Sequence, residues 1–111
     1  MTPAINELER AAVDYTVHTY EHSGDLRDFG IEASVRLGLD PDQVFKTLLV
    51  NIDGAFAVAV VPVSTKVSLK AVGLVVGSKR VAMAEPADAE RVTGYVRGGI
   101  SPFGQRKRLP T

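Results

Sequence analysis

The sequence predicts a single domain that contains both α-helices and β-strands. At 111 residues, the chain can bury one hydrophobic core but not two. An Asp53-Gly54 pair lies between two apolar, β-prone runs, which is the strongest short-range signal for a β-hairpin. Three predicted helices end at Gly38, Gly77 and Gly94, and glycine readily adopts the left-handed conformation that closes a helix.

The predicted hairpin joins residues 45–52 to residues 55–61. A two-residue turn fixes the register, so Lys46 is expected opposite Val61. Lys46 then shares its face with Leu48, Val50 and Ile52, and with a row of alanines at positions 55, 57 and 59. We interpret this face as a concave wall of small side chains with an ammonium group at its mouth.

Helix-start residues and glycines divide the rest of the chain. In chain order, the other predicted elements are a helix from Thr2-Pro3, a strand over 15–20, a helix over 29–37, one helical turn near 40–43, a helix between Ser68 and Gly77, a strand over 79–83 and a helix from Glu85-Pro86 to about Gly94. Pro62 is expected to end the second hairpin strand or to lie at a sheet edge.

The composition excludes several kinds of site. The chain has no cysteine, so disulfides, thiolate catalysis and cysteine-based metal sites are excluded. His18 and His22 lack a carboxylate at ligand spacing and are expected at the surface, so neither a metal nor a cofactor is predicted. No signal peptide is visible and no apolar run approaches the roughly 18 residues of a membrane span, so a cytoplasmic location without a membrane partner is expected.

The net charge of zero hides a division along the chain. Residues 1–42 hold nine acids against three arginines, and residues 43–111 hold ten bases against four acids. The last fifteen residues carry Arg97, Arg106, Lys107 and Arg108 without an acid. This polarity favours a polyanion that approaches one side. An exposed basic tail without a ligand is an equally weighted alternative.

A glycine-rich loop, residues 97–104, precedes the basic end. Paired glycines allow the backbone to approach a ligand closely and can direct successive amides at an anion. A simple turn is the commoner meaning of such a pair.

Five segments together carry a resemblance to a known family. They are HTYEH (18–22), LGL (37–39), QVFKTLLV (43–50), TGY (93–95) and GGISPFGQ (98–105). These segments resemble the YbaK type of aminoacyl-tRNA deacylase, which is related to the editing insertion of bacterial prolyl-tRNA synthetases. The resemblance covers the whole chain and implies one deacylase domain over residues 1–111.

The resemblance also implies an α+β fold, with a mixed, largely antiparallel, barrel-like sheet flanked by helices. Relatives continue for some tens of residues, so it also implies a domain truncated at its C-terminus.

The resemblance further implies a function in translation fidelity. Such enzymes hydrolyse the ester that attaches a wrong amino acid to tRNA, and the YbaK type is associated with cysteine on proline tRNA. Lys46 corresponds to the family's essential lysine. The expected substrate-binding residues are Tyr20, Thr47, Gly98, Gly99, Ile100, Ser101 and Pro102. The implied partner is the aminoacylated 3′ end of tRNA rather than DNA, and an aminoacyl-tRNA synthetase is admitted as a second partner.

The residue chemistry fits ester hydrolysis. The Lys46 ammonium can stabilise the terminal phosphate or the oxyanion, and the amides of residues 99–101 can donate to the same region. Tyr20 can stack on the adenine or hydrogen-bond the ribose, and residues 106–108 can contact phosphates. No side chain is a convincing nucleophile, so catalysis is expected to depend on positioning, with the substrate's own thiol as the attacking group that the family implies.

Other interpretations remain open at the level of sequence. A lysine near a strand end is often structural, with its stem packed on apolar surface. The alternative function is a non-catalytic module that binds aminoacyl or nucleotide ligands. A third hypothesis is a fragment that dimerises through an exposed sheet edge.

Overall fold

The computed structural model describes residues 2–21, 29–96 and 98–111. In chain order its helices and strands are α1 (Pro3–Arg10), α2 (Phe29–Leu37), β1 (Phe45–Ile52), β2 (Ala55–Pro62), α3 (Leu69–Val76), β3 (Val81–Met83) and α4 (Pro86–Thr93), with a single 3₁₀ turn over Pro41–Gln43 before β1. The predicted α+β class is confirmed.

The sheet is antiparallel, with β1 in the centre and the strand order β2-β1-β3. The hairpin register is the predicted one, since Ile52 pairs with Ala55 and Lys46 with Val61. The turn is set by its own two residues. Asp53 and Gly54 have φ values of 50° and 93°, and the type I′ hairpin turn requires a positive φ at both positions. The Gly54 amide donates to the Asn51 side-chain oxygen at 2.7 Å, which closes the turn.

The predicted helix ends are also confirmed, because each is set by neighbouring residues. The side-chain oxygens of Thr2 and Ser68 accept hydrogen bonds from the amides of Ile5 and Ala71, at 3.2 and 3.1 Å. The left-handed glycines follow α2, α3 and α4 at positions 38, 77 and 94.

Helix α4 packs against the hairpin to form the core. The buried residues Leu49, Val58, Ala89 and Val92 form one cluster, and Phe56, Ala84, Ile100 and Leu109 pack around it. Each fully buried aliphatic side chain contributes about 1.5–3 kcal/mol. The core therefore lies on the Leu49 face of the hairpin, opposite the face that carries Lys46.

Two predicted strands differ from the structure. The strand over residues 15–20 is wrong: all six residues are exposed and have no strand pairing among the described residues. Alternating β-prone residues form a strand only when another strand pairs with them. The strand predicted over 79–83 is shortened to Val81–Met83, because its partner strand β1 ends at Ile52, opposite Val81; the Asp53 amide in the hairpin turn then donates to the Arg80 carbonyl at 2.8 Å.

Among the described residues, no helix is long and apolar enough to span a bilayer. His18 is exposed, as predicted, whereas His22 and Arg97 lie outside the described residues.

Candidate active site

A cavity of about 930 Å³ lies alongside β1. It is bordered by the start of α2, by β1, by the link from β3 to α4 and by the loop over 98–100. The described residues that line it are Tyr20, Phe29, Gly30, Ala33, Val44, Phe45, Lys46, Thr47, Leu48, Leu49, Met83, Ala84, Pro86, Ala89, Gly98, Gly99 and Ile100. This volume falls within the range of small-molecule sites.

Lys46 is the one charged side chain among the described residues that line this cavity. It is half-buried, because the β1–β2 hairpin holds its backbone opposite Val61 while the side chain extends from the strand. No carboxylate among those lining residues balances the ammonium charge. The cavity is therefore electrostatically suited to an anionic ligand or to a reaction that develops negative charge.

Five other predicted site residues line the same cavity: Tyr20, Thr47, Gly98, Gly99 and Ile100. Tyr20 is 38% exposed, and Thr47 follows Lys46 on the strand. Residues distant in sequence are thus brought together, although their roles stay predictions.

The glycine loop packs directly on an aromatic ring. Gly98 has a φ of 83°, and a Cβ atom added there would lie 2.7 Å from the ring of Phe29. The Gly99 amide donates to the Val96 carbonyl at 3.0 Å and is thus already occupied. Of the three amides predicted as donors, Ile100 carries the one that remains a candidate in this cavity.

Ser101 and Pro102 are not among the residues that line the Lys46 cavity. The Ser101 hydroxyl oxygen accepts the Phe103 amide at 3.2 Å, and the Ser101 carbonyl accepts the Gln105 side-chain amide at 2.9 Å. Ser101 therefore shapes the loop in this structure.

The basic end of the chain lies at a different place from the one expected. Lys107 and Arg108 line a second cavity of about 550 Å³, together with Pro102 and Glu7. Arg106 packs over Gly94 and donates to the Arg91 carbonyl at 3.3 Å. None of the three lines the Lys46 cavity, because the chain turns away after the glycine loop and crosses α4.

The alanine row does not line the cavity either. Ala57 is buried, Ala59 is half-buried and Ala55 is exposed, and no β2 residue is among the lining residues. Small residues do shape the site, but they come from α2 and α4, at Gly30, Ala33 and Ala89. The sequence carried one signal for them: Gly30 and Ala33 are three residues apart, and so share a helix face.

Tyr95 was not predicted as a site residue from the sequence, yet it supports the glycine loop. Its side chain is buried, and its hydroxyl donates to the Phe103 carbonyl at 2.6 Å. Burial raises the pKa of the Tyr95 hydroxyl above its usual 10.0. Hydrogen bonds with Ser101 and the Ala4 backbone lower the pKa, and the nearby Glu7 charge raises it, so that the net shift is upward.

The raised pKa predicts a loss of stability in alkali. Above pH 10 the unfolded chain releases the Tyr95 proton while the folded chain retains it, so the stabilisation is complete below pH 10 and is lost as pH rises towards the folded-state pKa. The Tyr95→Phe variant should lose about 1 kcal/mol at neutral pH, from the missing hydrogen bond, and should show a flatter decline in alkali. Urea unfolding of both proteins from neutral pH to beyond pH 10 measures this, and identical alkaline slopes would contradict it.

Comparison with known proteins adds independent findings. A family model described as "Aminoacyl-tRNA editing domain" matches residues 27–111. The chain is 36% identical over 113 residues to the "Putative Cys-tRNA(Pro)/Cys-tRNA(Cys) deacylase EbsC" of Enterococcus faecalis (strain ATCC 700802 / V583). That match covers 99% of this chain and 67% of the relative.

Two solved structures share the fold. The crystal structure of "hypothetical protein APE2540" superposes with a TM-score of 0.83 at 19% identity, over 97% of this chain and 70% of that one. A crystal structure described as "a putative trans-editing enzyme for prolyl tRNA synthetase" superposes with a TM-score of 0.81 at 21% identity, over 97% and 67% of the two chains. At these identities the two matches establish the architecture alone.

Proposed function

This chain belongs to the family of aminoacyl-tRNA editing domains, and we propose that it hydrolyses the aminoacyl ester of mischarged tRNA in the cavity at Lys46. Aminoacyl-tRNA deacylation is its class of activity. The position of Lys46, as the one charged side chain among the described lining residues, carries the proposal for where this happens. Because tRNA is charged in the cytoplasm, that compartment is the proposed location.

In the proposed reaction, Lys46 stabilises negative charge. A nucleophile adds to the ester carbonyl and releases its proton, an oxyanion forms, and the bond to the ribose oxygen then breaks as that oxygen takes up a proton. Where the nucleophile is the substrate's own thiol, water then hydrolyses the resulting cyclic thioester. An ammonium held in a partly buried cavity stabilises such an oxyanion more than water does, because it needs no reorganisation during the reaction. A half-buried lysine without a balancing carboxylate among the described lining residues suits this role.

The nucleophile is proposed to come from the substrate or from water. The described lining residues include no serine, cysteine or histidine side chain. A cysteine attached to tRNA carries its own thiol next to the ester, and the 36% identical relative is named for cysteine on proline and cysteine tRNAs. We therefore take Cys-tRNA(Pro) as the preferred substrate, with the protein acting by orientation and charge.

A deacylation assay against a panel of misacylated tRNAs tests the function. Proline tRNA carrying cysteine or alanine is compared with correctly charged tRNAs, and release of the amino acid is followed over time. Faster release of cysteine from proline tRNA than from any other pair is the expected result. Saturable binding of aminoacyl-adenosine amides without turnover of any ester would instead favour the binding-module hypothesis.

The exposed basic pair Lys107 and Arg108 is proposed to contact the tRNA backbone, away from the site of chemistry. The double variant K107A/R108A should weaken tRNA binding several-fold and reduce the slope of log K against log salt by about 1–2, because two phosphate contacts are lost. Filter binding at several salt concentrations measures both. The double variant K66A/K70A, which removes two exposed lysines outside both cavities, is the matched control; an equal effect there would show that only general charge matters.

A further inference from the structure

The cavity runs along an edge of β1 that no described strand covers. β3 pairs with β1 over residues 50–52, and its last contact is the Ala84 amide on the Leu49 carbonyl, at 3.0 Å. From Phe45 to Leu48, β1 is bordered by the cavity instead. The outer edge of β2, at the other side of the hairpin, is contacted by the C-terminal segment, since the Val58 amide donates to the Pro110 carbonyl at 2.8 Å.

The register defines which backbone groups point to this edge. In an antiparallel pair, alternate residues direct both their amide and carbonyl at the partner strand, and the residues between them direct both groups away. The Val44 carbonyl accepts the Val63 amide at 2.8 Å, which places the even-numbered residues of this segment towards β2. The carbonyl of Phe45 and the amide of Thr47 therefore point away from β2, into the cavity.

We propose that this pair of backbone groups, the Phe45 carbonyl and the Thr47 amide, binds the Watson–Crick edge of the terminal adenine of tRNA. An acceptor followed by a donor complements the adenine amino group N6 and the ring nitrogen N1. With the ribose held beside Lys46, guanine and uracil present the reverse order of donor and acceptor and are rejected. This proposal rests on the proposed function, for which it supplies the subsite of the terminal base.

The position of Lys46 favours adenine as the occupant over the penultimate cytosine, which presents the same order of groups. Lys46 lies between the two backbone groups in sequence, and its ammonium is the charge available among the described lining residues. The nucleotide held beside it is the one whose ribose carries the ester. The aromatic side chains of Phe45, Phe29 and Tyr20 line the same cavity and offer surfaces for stacking.

Non-hydrolysable nucleoside analogues test this without requiring turnover. The probe is 3′-amino-3′-deoxyadenosine that carries a cysteinyl amide, compared by calorimetry with its inosine and 7-deazaadenosine counterparts. Inosine reverses both groups of the Watson–Crick edge, so its Kd should be about 10- to 100-fold higher. The 7-deaza analogue changes only the opposite edge of the base and should bind within about two-fold of adenosine.

Equal binding of adenosine and inosine analogues overturns the proposal, as does no binding of the adenosine analogue or a loss confined to the 7-deaza analogue. The proposed function fails separately, when misacylated tRNA is not hydrolysed. Base selectivity without hydrolysis would contradict the proposed function and support the adenine subsite. Hydrolysis without base selectivity would support the function and contradict the subsite.

An amide-to-ester substitution at Thr47 tests the protein side. Incorporation of the corresponding α-hydroxy acid removes the Thr47 N–H and leaves the side chain intact. Binding of the adenosine analogue should weaken about 10-fold, whereas the inosine analogue should bind no less tightly, because the new ester oxygen accepts from its N1–H. The Tm should stay unchanged, since this amide points away from β2. Equal weakening of both analogues together with a lower Tm would show a structural effect only and overturn the assignment.

Discussion

Replacement of Lys46 by alanine is expected to lower the single-turnover rate constant for deacylation of mischarged tRNA by about 10²- to 10³-fold. Among the described lining residues Lys46 supplies the one charge, so its loss removes the proposed stabiliser of the oxyanion. The measurement is single-turnover release of the amino acid, with enzyme in excess over tRNA, because this isolates chemistry from product release. An unchanged rate would remove Lys46 from the mechanism.

A purely structural role for Lys46 makes a different prediction. If only the aliphatic part of the Lys46 side chain matters, through packing, its replacement by alanine would lower Tm. The deacylation rate of the folded fraction would then stay unchanged. The Lys46→Met variant separates these effects, because methionine retains apolar length and lacks the charge. It should lose as much activity as the alanine variant while retaining the native Tm. Lys70→Ala, which removes an exposed lysine of α3 outside the cavity, should retain activity and controls for general loss of charge.

The features that the sequence predicted well are those set by neighbouring residues. Asp53-Gly54 determines the turn, the turn length determines the register, and the register determines which residue faces Lys46. The helix ends at Gly38 and Gly77 are local in the same way. Even the alternation of backbone groups at the edge of β1 follows from this register. The position of Lys46 on the strand could therefore be derived from sequence.

Contacts between distant segments could not be derived in this way. The packing of Gly98 against Phe29 joins two segments about seventy residues apart, and no local pattern encodes it. The hairpin face that packs against α4 is likewise set by contacts between segments distant in sequence. For this reason the alanine row was wrongly assigned to the pocket wall. The basic residues near the end were placed by charge alone, and charge does not specify that Lys107 and Glu7 line a separate cavity.

Gly104→Ala is expected to cause the largest loss of stability, about 2–4 kcal/mol, of which about 1 kcal/mol is the conformational cost of a left-handed non-glycine residue and the rest a steric clash. Gly104 has a φ of 66°, and an added Cβ would lie 2.5 Å from the Pro3 carbonyl oxygen and 2.6 Å from its carbon. Backbone atoms cannot move aside as a flexible side chain can. The Gly104 amide also donates to the Glu7 carboxylate, so displacement of α1 by the added Cβ would break this hydrogen bond as well.

Gly38→Ala is the matched control for this effect. Gly38 has the same φ of 66°, yet an added Cβ would meet no atom within 4 Å. It should therefore show only the conformational cost of about 1 kcal/mol. The difference between the two variants in the free energy of unfolding, from urea titration, isolates the contact of Gly104 with Pro3. Since α1 has no buried residue, this contact is a principal attachment of α1 to the glycine loop. Equal losses in the two variants would mean that α1 can shift without cost, and that the loop does not depend on it.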